Sequence, residues 1–187
     1  MTDPADIEYW DQVDDPYRAV WSDDNWQEGV DECLKQVVPY LPDSGMVLDV
    51  GAGINRLALP IVENNDRLVV HAYEPSSTMR LAAATHYRIV QHDRWPDGPF
   101  HGAYIVAVLQ HLPYQQQADL LAATADRLTY GATIIFQTVL GVADGPGSHH
   151  TNAIQVRGWC HAAHLNPVGY TTGKVHESWL WTVAVRS

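Results

Sequence analysis

The chain has 187 residues, of which 46% are hydrophobic, and it carries 11 Lys plus Arg against 22 Asp plus Glu, a net charge of −11. This length and hydrophobic content predict one domain over residues 1–187 with a substantial core, and the acidic charge argues against extended nucleic acid as a partner, because phosphate backbones are bound by clustered cations. The cysteines, Cys33 and Cys160, offer no disulfide framework, and the sequence has neither a long apolar span nor an N-terminal signal pattern. We therefore expect a cytoplasmic protein without a membrane partner. We also expect a monomer or a homodimer.

Residues 1–45 are acidic and rich in aromatic side chains, and they lead to Pro39 and Pro42. Their pattern predicts short helices that form an N-terminal helical cap. Residues 46–187 then alternate between strand and helix patterns, which is typical of a parallel sheet with helices on both faces.

The predicted elements of this core are given in chain order. The strands are Met46–Val50, Leu68–Tyr73, Tyr87–Gln91, Ala103–Leu109 and Ala132–Val139, the helices are Ile54–Glu63, Ser77–Thr85, Tyr114–Leu128 and Thr151–His164, and a closing hairpin joins Gly169–Val175 to Ser178–Val185. The glycine-rich segment Leu140–Ser148 is predicted to be a loop. The continuous apolar character of Ala132–Val139 fits a strand covered on both faces.

The most informative segment is Met46–Asn55, in which an apolar strand ends in Asp49 and breaks into a turn at Gly51 and Gly53. Glycines let the backbone turn sharply and approach a ligand closely. A carboxylate so near this turn would repel a pyrophosphate, and it favours a cationic ligand. S-adenosylmethionine, with its ammonium and sulfonium, is such a ligand.

Two further acids follow the next strands. Glu74 ends the second predicted strand before Pro75, where an acid can accept hydrogen bonds from ribose hydroxyls; the alternative is an exposed carboxylate at a helix start. Asp93 ends the third, where its carboxylate and the Arg94 amide can meet an adenine ring covered by Trp95 or Ile54. The alternative for Asp93 is ordinary turn chemistry.

Together these segments resemble the class I S-adenosylmethionine-dependent methyltransferases. Asp49–Gly53 is similar to the family's first motif, Glu74 to the second and Asp93 to the third, while Ile105–Pro113 resembles its fourth strand with the following turn, and Arg127–Phe136 the start of its fifth strand. The resemblance spans about Val47 to Val185. It implies a Rossmann-like, doubly wound sheet of seven strands, mostly parallel with the last strand antiparallel.

The resemblance also implies which residues bind the cofactor. Its contacts fall on Asp49, Gly51, Ala52 and Gly53 at the methionine part, on Glu74 with the adjoining Pro75 at the ribose, on Asp93 and Arg94 at the adenine, and on the backbone of Val108, Leu109 and Gln110 at the methionine side. Asn55 stands where a third glycine is common, and Asn tolerates the left-handed backbone that such a turn needs. His101-Gly102 replaces the Phe-Asp that often opens the fourth strand.

His111, just beyond the fourth strand, is the candidate catalytic residue, because an imidazole there can take a proton from an acceptor hydroxyl or amine. The alternative is a histidine that packs against the cofactor or caps the turn before Pro113. Methyl transfer often needs no strong base, since alignment of acceptor, methyl carbon and sulfur supplies most of the acceleration.

Aromatic and histidine side chains are the candidates for substrate contact. Tyr9 or Trp10 is expected at the methionine end and Trp21 or Trp26 at the acceptor, where rings can attract a cationic sulfonium. Ordinary core packing is the alternative for each of them. His149 and His150, on the glycine-rich loop, are expected to touch the acceptor. The histidines near Cys160 do not repeat a closed zinc pattern, so no metal is predicted.

The sequence therefore predicts a methyltransferase that moves a methyl group from S-adenosylmethionine to a small molecule by in-line displacement. Base methylation of nucleic acid is disfavoured, because Val108–Pro113 lacks the Asp/Asn-Pro-Pro-aromatic motif of such enzymes. The alternative is a protein that binds S-adenosylmethionine or S-adenosylhomocysteine without methyl transfer. A nicotinamide dehydrogenase is the third hypothesis, and it requires a pyrophosphate at the glycine turn.

Overall fold

The computed structural model describes residues 4–16, 26–141, 149–172 and 179–187. Within these ranges seven strands form one sheet, and they are β1 Gly45–Val50, β2 Leu68–Tyr73, β3 Ile89–His92, β4 Phe100–Ile105, β5 Leu128–Val139, β6 Leu165–Thr172 and β7 Trp179–Arg186. They lie in the order β3-β2-β1-β4-β5-β7-β6. The pairings among β1 to β5 are parallel, whereas β7 is antiparallel to both β5 and β6. The predicted Rossmann-like sheet with an antiparallel last strand is confirmed.

Helices cover both faces of this sheet. The described helices are α1 Pro4–Asp11, α2 Trp26–Val37, α3 Ala58–Asn64, α4 Ser77–Ala82, α5 Tyr114–Ala125 and α6 Ala153–Ala162, with 3₁₀ turns at Val38–Tyr40 and Leu109–His111. No helix in the described ranges is both long and apolar enough to cross a membrane.

The core has two layers, one on each face, because neighbouring residues of a strand point to opposite sides of the sheet. Val47 packs with Cys33 of α2 and Ile61 of α3. Leu48, the next residue, packs with Leu121 of α5 and Val156 of α6. Burial of these apolar side chains fixes the strand ends that carry the candidate site.

The same two-layer burial extends to β5. Ile134 belongs to the layer under α5 and α6, and Ile135 to the layer under α2 and α3. The prediction that this strand is covered on both faces is confirmed. The strand begins at Leu128, earlier than the predicted Ala132, and Gly131 lies inside it with a φ of 79°.

The predicted fourth strand, Ala103–Leu109, is wrong at both ends, since β4 runs from Phe100 to Ile105. Ala107 has a φ of 58°, which no extended strand adopts, so the apolar run leaves the sheet before Val108 and Leu109. Both residues remain at the carboxyl edge of the sheet, in a turn rather than in a strand.

The helix after the glycine turn also starts later than predicted, at Ala58 instead of Ile54. Gly51, Gly53 and Asn55 have φ values of 71°, 54° and 64°. Three left-handed residues at alternate positions are incompatible with a right-handed helix. The segment Gly51–Asn55 is therefore a tight turn, and the helix begins only after it.

Candidate active site

A cleft opens at the carboxyl edge of β1, β2 and β4, where the three strands end side by side. The empty space of the cleft, counted together with the open solvent at its mouth, is about 1140 Å³. Predicted site residues that line it are Trp10, Asp49, Gly51, Ala52, Gly53, Glu74, Pro75, Val108 and His111. Nine residues predicted from widely separated segments thus share one cleft.

The glycine turn forms the floor of this cleft and is held by backbone hydrogen bonds. The amides of Gly51 and Ala52 donate to the Tyr73 carbonyl at 2.8 and 3.1 Å. A Cβ on Gly51 would lie 2.4 Å from Val108 Cγ2. Glycine is therefore required at position 51 both for its backbone conformation and for the close approach of Val108.

Asn55 completes the turn in place of a third glycine. Its left-handed φ of 64° confirms the prediction that asparagine tolerates this backbone. Its side-chain Nδ2 donates to the Ala84 carbonyl at 2.9 Å, so it ties the turn to the segment that follows α4. Asn55 itself is buried beneath the turn, outside the lining of the cleft.

Asp49 is a buried carboxylate at the head of the cleft, with only 4% of its surface exposed. Burial raises its pKa to about 7, although the Tyr104 hydroxyl, which donates to Oδ2 at 3.0 Å, acts in the opposite direction. Tyr104 faces Asp49 because the two residues are in register on β4 and β1. A cation bound in the cleft would favour the ionised form of Asp49.

Glu74 links the two turns that form the cleft. Its Oε2 accepts a hydrogen bond from the Gly53 amide and its Oε1 one from the Ser76 amide, both at 2.8 Å. With 9% of its surface exposed, it is not the exposed carboxylate of the alternative interpretation. Burial raises its pKa and the two amides oppose that shift. Since a carboxylate has about four lone-pair sites, Glu74 keeps the capacity to accept from ribose hydroxyls.

The residues predicted at the adenine occupy two different environments. Asp93 and Arg94 directly follow β3 and are exposed, and neither belongs to the described lining of the cleft. Trp95 stacks on Tyr73 with ring centroids 4.5 Å apart. Ile54 is buried and lines the cleft. The adenine contacts of Asp93 and Arg94 stay predictions.

The turn after β4 forms a wall of the cleft beside the glycine floor. Val106, Ala107 and Val108 line the cleft. The left-handed Ala107 costs on the order of 1 to 3 kcal/mol for a residue with a Cβ, and its amide donates to Oε1 of the buried Gln137 at 2.9 Å. Gln137 on β5 therefore holds this wall in shape.

His111 and Trp10 meet at the mouth of the cleft, which both residues line. Their rings lie edge to face with centroids 5.5 Å apart. Gln110 Nε2 lies 3.3 Å from His111 Nε2, so this imidazole nitrogen accepts when the amide donates. Of the other predicted residues in this turn, Leu109 is buried in the core, and neither it nor Gln110 is part of the lining.

The end of helix α1 lies between His111 and the start of α4, because Trp10 contacts His111 and Asp11 binds Ser76 and Ser77. Asp11 Oδ1 accepts from Ser76 Oγ at 2.9 Å and from the Ser77 amide at 2.8 Å. The hydrogen bond from Ser76 is the main cause of the lowered pKa of Asp11. This contact joins α1 to the start of α4, next to Pro75.

The remaining predicted substrate residues lie outside the cleft lining. Tyr9 contacts Trp10 and is 64% exposed. His149 donates its backbone amide to the Gln110 carbonyl at 2.7 Å, which places it beside His111. His150 follows it, half-buried. Trp21 lies outside the described residues.

Two ionisable residues that line the cleft, Cys33 and Arg56, are not predicted as site residues by the sequence. Arg56 has a pKa lowered to about 10, mainly by burial, and Asp49 opposes that shift. Cys33 of α2 has a pKa raised to about 12 by burial. No sequence signal brings α2 to the glycine turn, and Arg56 has the spacing of an ordinary helix-surface residue. Across the described ranges, no group of three His, Cys, Asp or Glu side chains is placed to hold a metal ion.

Comparison with known proteins gives matches in structure alone. No protein-family model and no curated protein sequence matches the chain. Magnesium protoporphyrin IX methyltransferase (ChlM) from Synechocystis PCC 6803 with bound SAH superposes with a TM-score of 0.80 at 15% identity, covering 98% of this chain and 99% of that one. The chain has the class I S-adenosylmethionine-dependent methyltransferase fold.

Other proteins with this methyltransferase fold differ in what they do. Burkholderia thailandensis 1,6-didemethyltoxoflavin-N1-methyltransferase, with bound 1,6-didemethyltoxoflavin and S-adenosylhomocysteine, gives a TM-score of 0.71 at 19% identity, covering 98% of this chain and 88% of that one. The [4+2]-cyclase SpnF gives a TM-score of 0.76 at 14% identity, with 96% and 94% covered. The fold is thus shared by transferases and by a cyclase, and the reaction has to be argued from the site.

Proposed function

We propose that this protein is an S-adenosylmethionine-dependent methyltransferase that acts on a small molecule by in-line displacement. The observation that carries the proposal is the buried Asp49 beside a turn whose residues 51, 53 and 55 are all left-handed. Burial of a carboxylate is costly, Arg56 offsets that cost only in part because the pKa of Asp49 remains raised, and a cationic ligand would offset it further. The structural neighbours support the choice of ligand, because ChlM binds SAM or SAH in this fold.

The donor groups of the cleft fit this cofactor. Asp49 provides negative charge for the methionine ammonium, and Glu74 provides acceptors for the ribose hydroxyls while it holds the amide of Gly53. We assign Ile54 to one face of the adenine. Asp93 and Arg94 reach the ring only if the loop after β3 folds toward the cleft. We also treat residues 1–187 as one methyltransferase-like domain, since α1 contributes Trp10 to the cleft.

In the reaction, the cofactor supplies a methyl group on a good leaving group, and the chain supplies alignment and a proton acceptor. The wall Val106–Val108 and the glycine floor hold the cofactor on the inner side of the mouth. His111 takes the proton of the acceptor's hydroxyl or amine on the outer side. ChlM and the Burkholderia enzyme, whose names specify magnesium protoporphyrin IX and 1,6-didemethyltoxoflavin, support a small-molecule acceptor.

A second candidate is a protein that binds the same cofactor without methyl transfer. The match to the cyclase SpnF favours this candidate, because that protein has the fold and carries a different reaction in its name. The two candidates share the cofactor cleft and differ only in turnover.

Calorimetric titration with S-adenosylhomocysteine, followed by a turnover assay with S-adenosylmethionine, tests the proposal. We expect the wild type to bind, and Asp49→Asn to bind at least about tenfold more weakly, because a charged hydrogen-bond partner contributes roughly 1.5 to 3 kcal/mol. Tyr130→Phe, at an 83% exposed position on β5, is the matched control. Absence of binding by the wild type would refute the proposal, and NAD binding improved by Asp49→Asn would favour a dehydrogenase.

A further inference from the structure

An aromatic rim extends from the mouth of the cleft, which Trp10 and His111 line, onto the adjoining surface. We define the aromatic rim as Tyr9, Trp10, His111, Tyr114 and His149. Ring centroids are 5.2 Å apart for Tyr9 and Trp10, 5.5 Å for Trp10 and His111, and 6.3 Å for Tyr114 and His149. Three segments far apart in sequence thus bring five rings to one place.

Gln110 connects the two halves of the aromatic rim. Its side-chain Nε2 lies 3.3 Å from His111 Nε2, and its carbonyl accepts the His149 amide at 2.7 Å. The side chain of Gln117 adds a second tie, since its Nε2 donates to the His149 carbonyl at 3.3 Å. These contacts hold the backbone at His149 and the imidazole of His111 in place before any acceptor arrives, which lowers the entropy cost of binding.

Much of this aromatic surface remains accessible. Tyr9 is 64% and Tyr114 is 49% exposed, and Trp10 is half-buried at the cleft. Clustered exposed aromatic side chains beside a cavity are typical of ligand sites. A planar aromatic ligand gains the most binding energy from such a site, because aromatic pairs in stacked or edge-to-face contact gain energy beyond that of the area they bury.

The charges around the aromatic rim oppose an anionic acceptor. The segments that supply it, residues 9–16, 106–117 and 149–151, contain Asp11, Asp14 and Asp15 and neither Lys nor Arg. Among the described cleft-lining residues the Lys or Arg side chain is Arg56, which is half-buried and interacts electrostatically with Asp49. With a net charge of −11, the protein would repel a carboxylate or phosphate at this surface.

We propose that the methyl acceptor is an uncharged, planar aromatic compound with a hydroxyl or ring N–H, bound against Trp10 within the aromatic rim. The inference rests on the proposed function. The acceptor's oxygen or nitrogen forms the new bond to the methyl carbon, and the sulfur–methyl bond breaks with its electron pair left on sulfur as a neutral thioether. The acceptor's proton goes to His111.

The test is a calorimetric titration of the protein saturated with S-adenosylhomocysteine, using three matched probes. Naphthol is planar and neutral, decahydronaphthol has the same skeleton without aromaticity, and hydroxynaphthoate adds a negative charge. We expect naphthol to bind at least about tenfold more tightly than either relative, a ratio of the size that aromatic contacts supply.

Variants locate the binding to the aromatic rim. Trp10→Ala is expected to weaken naphthol binding about tenfold and Trp10→Phe about threefold or less, since phenylalanine keeps an aromatic face. Tyr114→Ala is expected to weaken it about threefold with S-adenosylhomocysteine affinity unchanged. Tyr130→Ala, on an exposed ring away from the cleft, is the control and should change neither affinity.

The outcomes separate this inference from the proposed function. If the wild type fails to bind S-adenosylhomocysteine, the proposed function fails. If it binds that ligand, the acceptor proposal is overturned by any of three results: decahydronaphthol or hydroxynaphthoate matching naphthol, Trp10→Ala retaining full naphthol affinity, or no probe binding at all.

Discussion

The two sides of the cleft are built in different ways. The cofactor side is formed by backbone that few other sequences could adopt, with left-handed residues at 51, 53 and 55 and a carboxylate buried at Asp49. The proposed acceptor side is the aromatic rim, formed by side chains from α1, from residues 111–114 and from His149. The backbone of the first side restricts which residues can occupy it, whereas the second side consists of side chains that other residues can replace, so substitutions should be more damaging on the cofactor side.

The largest effect is expected from the titration of Asp49. Because burial raises its pKa from 3.8 to about 7, the stability it contributes is fully present below pH 3.8 and is lost as the pH rises through about 7. The side chain of Asp49→Asn does not ionise. As the pH rises over this window, the free energy of unfolding of this variant should therefore increase relative to that of the wild type by up to about 4 kcal/mol.

Chemical denaturation at several pH values measures this difference. Asp97→Asn, in the exposed loop before β4, is the matched control and should follow the wild type. A difference between Asp49→Asn and the wild type that stays constant with pH would show that the Asp49 carboxylate is solvated.

Gly51→Ala should come next. The new Cβ would meet Val108 Cγ2 at 2.4 Å on a backbone with a φ of 71°, so we expect a loss of cofactor affinity of about a hundredfold. Val108→Ala in the same chain removes the steric overlap and leaves the backbone strain, so it should restore part of the affinity.

Gly158→Ala in α6 is the matched control for this substitution, because its Cβ would meet nothing within 4 Å. It should leave binding unchanged and stabilise the helix by roughly 0.5 to 1 kcal/mol. Equal effects of the two substitutions on cofactor affinity would show that the backbone at Gly51 is not specially constrained.

Gln137→Met tests the wall between the two sides. Loss of the acceptor for the Ala107 amide should weaken cofactor binding about tenfold. The hydrogen bond contributes roughly 1 kcal/mol, and without it Ala107 would relax out of the left-handed conformation that shapes the wall. Ala107→Gly in the same chain should recover most of the affinity, since glycine adopts the left-handed backbone without that hydrogen bond.

Two controls define this effect in the same titrations. Gln137→Glu keeps an acceptor oxygen and should retain more affinity than Gln137→Met. Thr138→Val removes a buried hydroxyl that has no hydrogen-bond partner among the described residues, and it should leave affinity unchanged. No recovery on adding Ala107→Gly would mean that Gln137 acts by packing alone.

The smallest effect is expected from Asp11→Ala. Its carboxylate caps the start of α4 from an exposed position, so its loss should release α1 and raise the KM for the acceptor about threefold, with cofactor affinity unchanged. Asp14→Ala, an exposed acid in the same segment, is the control. A larger effect on cofactor affinity than on KM would place α1 on the cofactor side of the cleft.

The contrast between the two sides also explains which parts of the fold the sequence predicts. The bounds of β2, Leu68–Tyr73, match the prediction, and the placement of Asp49 and Glu74 at strand ends follows from local patterns alone. The sequence does not indicate the end of β4, because the apolar run continues from Val106 to Leu109 through the turn at Ala107.

Contacts between distant segments account for the rest. The hydrogen bonds from Ser76 and Ser77 to Asp11 join residues more than 60 positions apart, and Tyr104 meets Asp49 only because β4 pairs with β1. Neither contact leaves a signal in a single sequence. The sequence identifies aromatic residues of the cap as candidates for substrate contact, but only the fold shows that Trp10 contacts His111.

A crystal structure of the complex with S-adenosylhomocysteine tests the central claim most directly. The account predicts the ligand's ammonium within hydrogen-bonding reach of the Asp49 end of the cleft, its ribose hydroxyls on Glu74 and its sulfur facing His111. An empty cleft, or a ligand bound with the Asp49 and Glu74 carboxylates turned away from it, would contradict that account.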